Sequence, residues 1–399
     1  MTRAASINKF SNSTIPSDWD VKRLDQFAPL QRGFDLPVEK IIEGNFPVVF
    51  SNGILKFHNE FKAKAPGVVT GRSGTIGKVT FVEKDYWPHN TSLWVTNFNG
   101  NDPKFVYYFY IHFKIEKFAS GSGVPTLNRN DVHGQIIIVP PLSEQKAIAH
   151  ILSLLDTAIN TNNSLIAKKE LQKKWLMQNL LTGKKRLRGF SGKLREIRLG
   201  EIGEIKTSSV DKVIVEGEKI VNLVNYMDVY KNKFISTEYP FKKTSVNNRE
   251  LSTFNLKKGD ILFTPSSETP DDIGHSAVVT ADLKNTVYSY HLVRYRLFEE
   301  TVLEYDFRAY VFNNQNILNE FSRRATGSTR FTISKNDFEE IKTNIPETLK
   351  EQSAIAKVLQ AADKEIQLLK TKSEKLREKK KWLMQVLLTG KVRVKVNKT

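Results

Sequence analysis

The chain contains no cysteine. That excludes a disulfide framework and thiolate-zinc sites, and it fits a reducing compartment. No stretch approaches the roughly 20 apolar residues of a membrane span. Residues Met1 to Phe10 have no apolar core of signal-peptide length. The expectation is a soluble protein with a cytoplasmic location and no membrane partner. Acidic residues are in short supply: 43 Asp and Glu face 61 Lys and Arg, a formal charge of +18. A surplus that large points to a polyanionic partner, and nucleic acid is the usual one.

Signatures of catalysis are also scarce. Gly71-Arg72-Ser73-Gly74-Thr75-Ile76-Gly77-Lys78 resembles a phosphate-binding loop, but the spacing is one residue too long. Val79 also stands where a Mg²⁺-binding Ser or Thr is needed. Pro270-Asp271 followed by Asp282-Leu283-Lys284 has only the outline of a nuclease carboxylate site, a pattern that arises by chance among 43 acids. Pro140-Pro141 lacks the flanking residues of an amino-methyltransferase loop. No G-x-G-x-x-G follows a strand, and the seven histidines show no metal-ligand spacing. The reading is a chain with no catalytic residue and no metal ligand of its own.

What the chain does have is a stretch that occurs twice. Residues Glu144 to Lys184 return as Glu351 to Lys391, displaced by 207 positions without a gap, with 20 of 41 positions identical. Chance does not give gap-free identity of this length, so the chain carries an internal duplication. At 399 residues, 40% of them hydrophobic, two or more packed domains are expected.

Before the first copy, short β-branched or aromatic runs at Phe46 to Phe50, Gly67 to Thr70, Lys78 to Val82 and Ser92 to Val95 read as strands between Gly and Asn turns. Phe105 to Phe118 has helical spacing, and Gln135 to Val139 reads as a buried strand. Leu142 to Leu181 contains no Gly or Pro and reads as a long helix, about 60 Å at 1.5 Å per residue. Gly183 stands where a left-handed cap is expected. The second half repeats this order, with a mixed helix near Glu304 to Arg324 and a final strand near Ile341 to Ile345. Thr348 and Glu351 are spaced for a capping box on the second long helix.

Positions 355, 359, 362, 366, 369, 373, 376, 380, 383 and 387 step by 4 and 3 and are mostly apolar, as are their counterparts from Ile148 to Leu180. This is a heptad seam with polar breaks that can fix register. Two such helices in one chain can pair antiparallel as an intramolecular coiled coil. Such a rod would hold two domains at a fixed separation along a polymer. The patches Lys173 to Gln178 and Leu180 to Lys184 are kept in both copies beyond what the seam needs. They read either as domain-to-helix packing or as two equivalent docking sites, with Trp175, Leu176, Gln178, Trp382, Leu383 and Gln385 as the docking candidates.

Candidates for DNA contact lie in turns. In the first domain they are Thr70, Arg72, Ser73, Thr75 and Lys78 of one hairpin, with Asn90, Ser122 and Arg129 nearby. Glycines let this backbone approach a groove, and Arg72 is suited to a guanine edge. The second domain answers with Thr264, Ser266, Ser267 and His275, then His291, Arg323, Arg324, Ser328 and Arg330. Phosphate contacts are commoner than base contacts, so an arginine here more often positions than specifies.

Taken together, the chain resembles the specificity (S) subunits of type I restriction-modification systems. The resemblance rests on the two-domain, two-helix duplication and on the helix starts P-L-S-E-Q-K-A-I-A and L-K-E-Q-S-A-I-A. It rests also on the helix ends W-L-M-Q-x-L-L-T-G-K, the hairpin T-G-R-S-G-T-I-G, the opening I-P-S-D-W-D-V-K-R-L, and the turns A-S-G-S and A-T-G-S. It implies an α+β fold class: two globular α/β target recognition domains joined by two long antiparallel coiled-coil helices, a pseudo-two-fold internal repeat. The divisions are residues 1–141 and 184–347 for the recognition domains (184–193 being a basic linker), 142–183 and 348–391 for the helices, and 392–399 for a basic tail.

It further implies that each domain reads one half of a bipartite, asymmetric double-stranded DNA target. The helices would set the spacer and dock two methyltransferase subunits, and restriction subunits would join that core. S-adenosylmethionine, ATP and Mg²⁺ would act on those partners, with no cofactor bound by this chain. Two other readings stay open on the residues alone. One is the specificity subunit of a type II system with a fused methyltransferase-nuclease partner. The other is a coiled-coil scaffold with no DNA role.

Overall fold

A computed structural model describes residues 16–121 and 125–395. The chain divides into two compact units, Met1–Ser164 with Thr371–Thr399, and Leu165–Lys370. The division falls inside both long helices, Leu142–Leu180 and Leu349–Leu387, so each unit holds one α/β domain with part of each helix.

In the first unit a four-stranded antiparallel sheet runs Leu30–Arg32, Ser92–Val95, Gly67–Gly71, Val79–Val82. All five residues of Gly67–Gly71 are buried, which suits its Val-Val centre. Helix Pro103–Phe113 packs on this sheet, with proline at its first turn and the Asp102 carboxylate accepting from the Phe105 N–H at 2.8 Å. The single helix expected over Phe105 to Phe118 is broken instead. Lys114 adopts φ 55, and a 3₁₀ turn Ile115–Phe118 follows. The break buries Ile115 completely and stacks Phe118 on Phe113 at 5.6 Å. Among the described residues, strand Ile136–Val139 pairs only with Asp20–Arg23, and it buries one face, Ile137 and Val139, rather than both.

The second unit repeats this frame. Its antiparallel strands Gly203–Thr207, Val293–Leu297, Ile261–Phe263 and Ser276–Val279 follow the same order, and Phe234–Ile235 adds a parallel edge. Two helices, Tyr305–Val311 and Gln315–Arg324, replace the one mixed helix expected. Each has its own cap: Glu304 accepts from the Phe307 N–H and Asn314 from the N–H groups of Asn316 and Ile317. A local capping residue at position 314 outcompetes helical periodicity across it.

The helix segments run antiparallel within each unit. In the first, Asp156 meets Lys380 at 2.5 Å and Asn162 donates to Ser373 at 3.0 Å. In the second, Lys173 meets Asp363, and Lys169 meets Glu365 at 2.8 Å. Every expected seam position in both helices is buried or half-buried. The polar break Asn162–Ser373 is a hydrogen-bonded pair, the arrangement that fixes register in coiled coils. Both helices end on left-handed glycines, Gly183 at φ 70 and Gly390 at φ 72.

The capping box at Thr348 forms only by half. Its hydroxyl accepts from the Glu351 N–H at 3.3 Å, but the Glu351 carboxylate is buried against Arg186 instead of returning to the cap. Arg393 and Glu144 repeat this pairing in the first unit, again 207 positions away. A buried carboxylate is better compensated by a guanidinium than by one amide N–H.

Candidate nucleic-acid interface

The hairpin of the first domain is built from hydrogen bonds that leave no freedom at its base. The Gly71 N–H donates to the Lys78 carbonyl at 3.3 Å, and the N–H groups of Arg72 and Ser73 both donate to the Thr91 carbonyl. The turn then docks on the segment that follows the helix: the Leu127 N–H donates to the Arg72 carbonyl at 2.8 Å, and Ser73 bridges Thr126. Gly71 cannot be replaced here, because a Cβ would lie 1.7 Å from the Thr75 carbonyl oxygen. Gly74 (φ 78) and Gly77 (φ 91) take conformations that favour glycine.

This frame opens a cleft of about 800 Å³, lined by Arg32, Arg72, Ser120, Asn128 and Arg129 among others. Three guanidinium groups and short polar side chains in one groove suit a phosphodiester backbone and base edges. Arg72 and Arg129 were expected there. Arg32 and Asn128 were not, because no local motif marks them; only the sheet brings the end of strand Leu30–Arg32 beside the hairpin. Lys78 donates to the Asn52 carbonyl and Asn90 to Asp35, so both are held by internal bonds at the rim. Thr75 is exposed at the tip. Ser122 lies outside the described residues.

The second domain builds the same ladder. The Thr264 N–H donates to the His275 carbonyl at 2.9 Å, Ile333 N–H to the Pro265 carbonyl at 3.1 Å, and Ser266 pairs with Thr332. These bonds equate Thr264 with Gly71, Pro265 with Arg72 and Ser266 with Ser73. The match by letters, Thr264-Pro-Ser-Ser against Thr70-Gly-Arg-Ser, is therefore one residue out of register. The counterpart of Arg72 is a proline. An arginine arrives from the facing arm instead, with Arg330 Nε and Nη2 donating to Ser266 Oγ at 3.2 and 3.0 Å. The sheet register also equates Asn90-Thr91 with Tyr290-His291.

Around Ser266 the chain gathers aromatic groups that sequence reasoning missed. Tyr226 and Tyr230 stack at 5.9 Å on one short helix, and Tyr230 meets the His275 ring at 4.8 Å. Their spacing of four residues was the available signal. Tyr230 and His275 both bond Asp272, and Ser322 donates to Asp271 at 2.8 Å, so these carboxylates have internal partners. Among the described residues, no group of three or more His, Asp or Glu side chains could hold a metal ion. Burial, and then the charges of Arg330 and Lys212, hold the His291 imidazole below its ordinary value. The ring is therefore neutral near pH 7.

Several expected contact residues take other places. Thr70, in strand Gly67–Gly71, and Thr264, one residue beyond strand Ile261–Phe263, are fully buried, so their side chains cannot reach a ligand. Ser266 and Ser267 are nearly buried beneath Arg330 and the facing strand. Arg323 bonds Glu320 at its exposed end, and Arg324 lies between Glu320 and Asp337. Ser328, Arg129 and Arg330 are exposed.

The family model for the type I restriction modification DNA specificity domain matches residues 16–171 and again 193–378. The chain belongs to the type I restriction-modification DNA specificity family. This specificity subunit is similar to a Methanocaldococcus jannaschii protein provisionally named the type I restriction enzyme MjaX specificity subunit. The two are 28% identical over 429 residues, 96% of this chain and 95% of the other. The crystal structure of a type I S subunit from M. genitalium shares its fold at a TM-score of 0.60, with 17% identity over 94% of this chain and 97% of that one. A chain solved in work on complex assembly and conformational transition of the type I system gives 0.61, with 15% identity over 95% and 100%.

The helix face of the specificity subunit is also sorted by the structure. Trp175 and Trp382 are about half exposed, and Gln178 and Gln385 are exposed. Leu176 and Leu383 are not available for docking: each is a seam residue packed against the core of its own unit. No described helix is long and apolar enough to cross a membrane.

Proposed function

We propose that each α/β domain, 1–141 and 184–347, reads one half of a bipartite double-stranded DNA target, the first through the Arg32–Arg72–Arg129 cleft and the second through Arg330, His275, His291 and the Tyr226–Tyr230 pair. The observation that carries this is one hydrogen-bond frame built twice with different side chains on it. An invariant frame positions; the differing side chains discriminate. The helix pair, 142–183 and 348–391, sets the spacer between half-sites and docks two methyltransferase subunits, and restriction subunits join that core. S-adenosylmethionine, ATP and Mg²⁺ serve those partners. The family match favours this reading over a scaffold without a DNA role.

The test is binding of the chain with its methyltransferase subunits to duplexes in which one half-site at a time is scrambled. Arg72→Ala should weaken dependence on one half-site only; equal loss at both would refute two independent readers. Adding seven residues to each helix, about 10 Å of rise, should lengthen the spacer and leave both half-sites as they were.

A further inference from the structure

Five residues kept identical in the duplicated helices line a cleft in each unit. In the second unit an open cleft of about 1040 Å³ is lined by Lys173, Lys174 and Met177 of one helix and Asp363 and Ile366 of the other. In the first unit a cleft of about 430 Å³ is lined by the residues 207 positions away: Lys380, Lys381, Met384, Asp156 and Ile159. The seam explains the isoleucines and the inner lysines. It does not explain Lys174 and Lys381, which are exposed in both copies.

Both clefts are positive. In the second, Lys184, Lys231, Lys233, Lys364 and Lys370 add to Lys173 and Lys174, and the acids are Glu170 and Asp363. Asp363 is already bonded to Lys173 and Lys233. In the first, Lys114 and Arg377 join Lys380 and Lys381, and the one carboxylate, Asp156, is bonded to Lys380.

We propose that these two clefts are docking sites for an acidic segment of the methyltransferase partner, one copy in each. The inference rests on the reading of the helix pair as a docking frame and names the chemistry that fills it. The two DNA half-sites differ, so the recognition domains have drifted apart. Surfaces that meet two copies of one partner have a reason to stay alike, and these five cleft residues have, whereas Glu170 of one cleft answers to Arg377 of the other. A protein segment fits better than a phosphodiester strand, because each cleft pairs its cationic rim with a methionine and an isoleucine.

The test uses the full chain with the methyltransferase subunit of its own system, following stoichiometry by sedimentation and affinity by titration. Wild type should take two subunits. Lys174→Glu should weaken one site about tenfold and Lys381→Glu the other, with the double variant losing both. Lys174→Arg and Lys381→Arg should retain binding, while affinity of the chain alone for duplex DNA and its thermal unfolding stay unchanged. Lys174→Gln with Lys381→Gln should move in the same direction by less. Two subunits bound at wild-type affinity by the double Glu variant would overturn the inference and leave the docking frame standing. Loss of DNA affinity with a shallower salt slope and intact subunit binding would assign the clefts to phosphate and overturn it also. A wild-type chain that takes no methyltransferase subunit would sink the docking frame itself, and the inference with it.

Discussion

Asp363 is a single carboxylate serving three donors: Lys173, Lys233 at 2.6 Å and the Tyr310 hydroxyl at 2.8 Å. Its pseudo-equivalent Asp156 serves one ammonium, Lys380, with the Tyr108 hydroxyl at 2.7 Å. Burial pushes the Asp363 carboxyl up, but the two lysines together outweigh it and hold it below its ordinary value. Asp363→Asn keeps the shape, removes the charge and leaves two ammonium groups facing each other.

Removing one partner of a buried ion pair costs about 3–5 kcal/mol, and an exposed pair contributes roughly 0.2–1. The Asp363 side chain is 33% exposed. We therefore predict a loss of about 2–3 kcal/mol, against about 1 for Asp156→Asn. For a unit of this size the loss lowers its calorimetric transition by roughly 5–10 °C.

Lys233 should behave in the opposite sense. Burial lowers its ammonium from 10.5 to about 8, despite the neighbouring carboxylate. Below pH 8 both states hold the proton, and the folded state bears the full desolvation cost. Between about 8 and 10.5 the unfolded chain keeps a proton that the folded chain has lost, so wild-type stability rises with pH across that window. Lys233→Met should be the more stable at pH 7, with the difference shrinking toward pH 10. An Asp363→Asn loss no greater than that of Asp156→Asn, or a Lys233→Met variant less stable than wild type at pH 7, would refute this balance of burial and charge.

Arg72→Ala should cost about 1–3 kcal/mol of discrimination at one half-site, and Arg330→Ala the same at the other, measured by competition between singly substituted duplexes. Gly274→Ala should destabilise the second unit by about 1–3 kcal/mol, because the backbone holds a positive φ there. The new Cβ would also fall 2.4 Å from the buried Phe321 ring. Gly77→Ala also sits at a positive φ, but its Cβ meets the flexible side chain of exposed Glu116, Oε2 at 2.6 Å and Cβ at 3.2 Å, and it should cost less by thermal scanning. Arg186→Met leaves the buried Glu351 carboxylate without its cation and should lower stability by about 3 kcal/mol in denaturant titration.

The sequence by itself determined the duplication, the two long helices with their seam, the strands Phe46–Phe50 and Ser92–Val95, and the family resemblance. These depend on period, gap-free identity and turn residues, all of which are local or repeat-level signals. Tertiary structure decided which members of the hairpins face outward. Thr70 and Thr264 belong to the right turns, but the packing around them buries both side chains. Leu176 and Leu383 lie both in the retained patches and on the heptad register, and packing in the structure decides for the seam. Arg32, Asn128 and the Tyr226–Tyr230 pair reach the sites only because the sheets and their flanking segments bring together residues distant in sequence. The one-residue slip between the hairpins has the same origin. Letters align side chains, whereas the register of a ladder is set by backbone bonds, and a proline at 265 accepts the same bond from Ile333 that Arg72 accepts from Leu127.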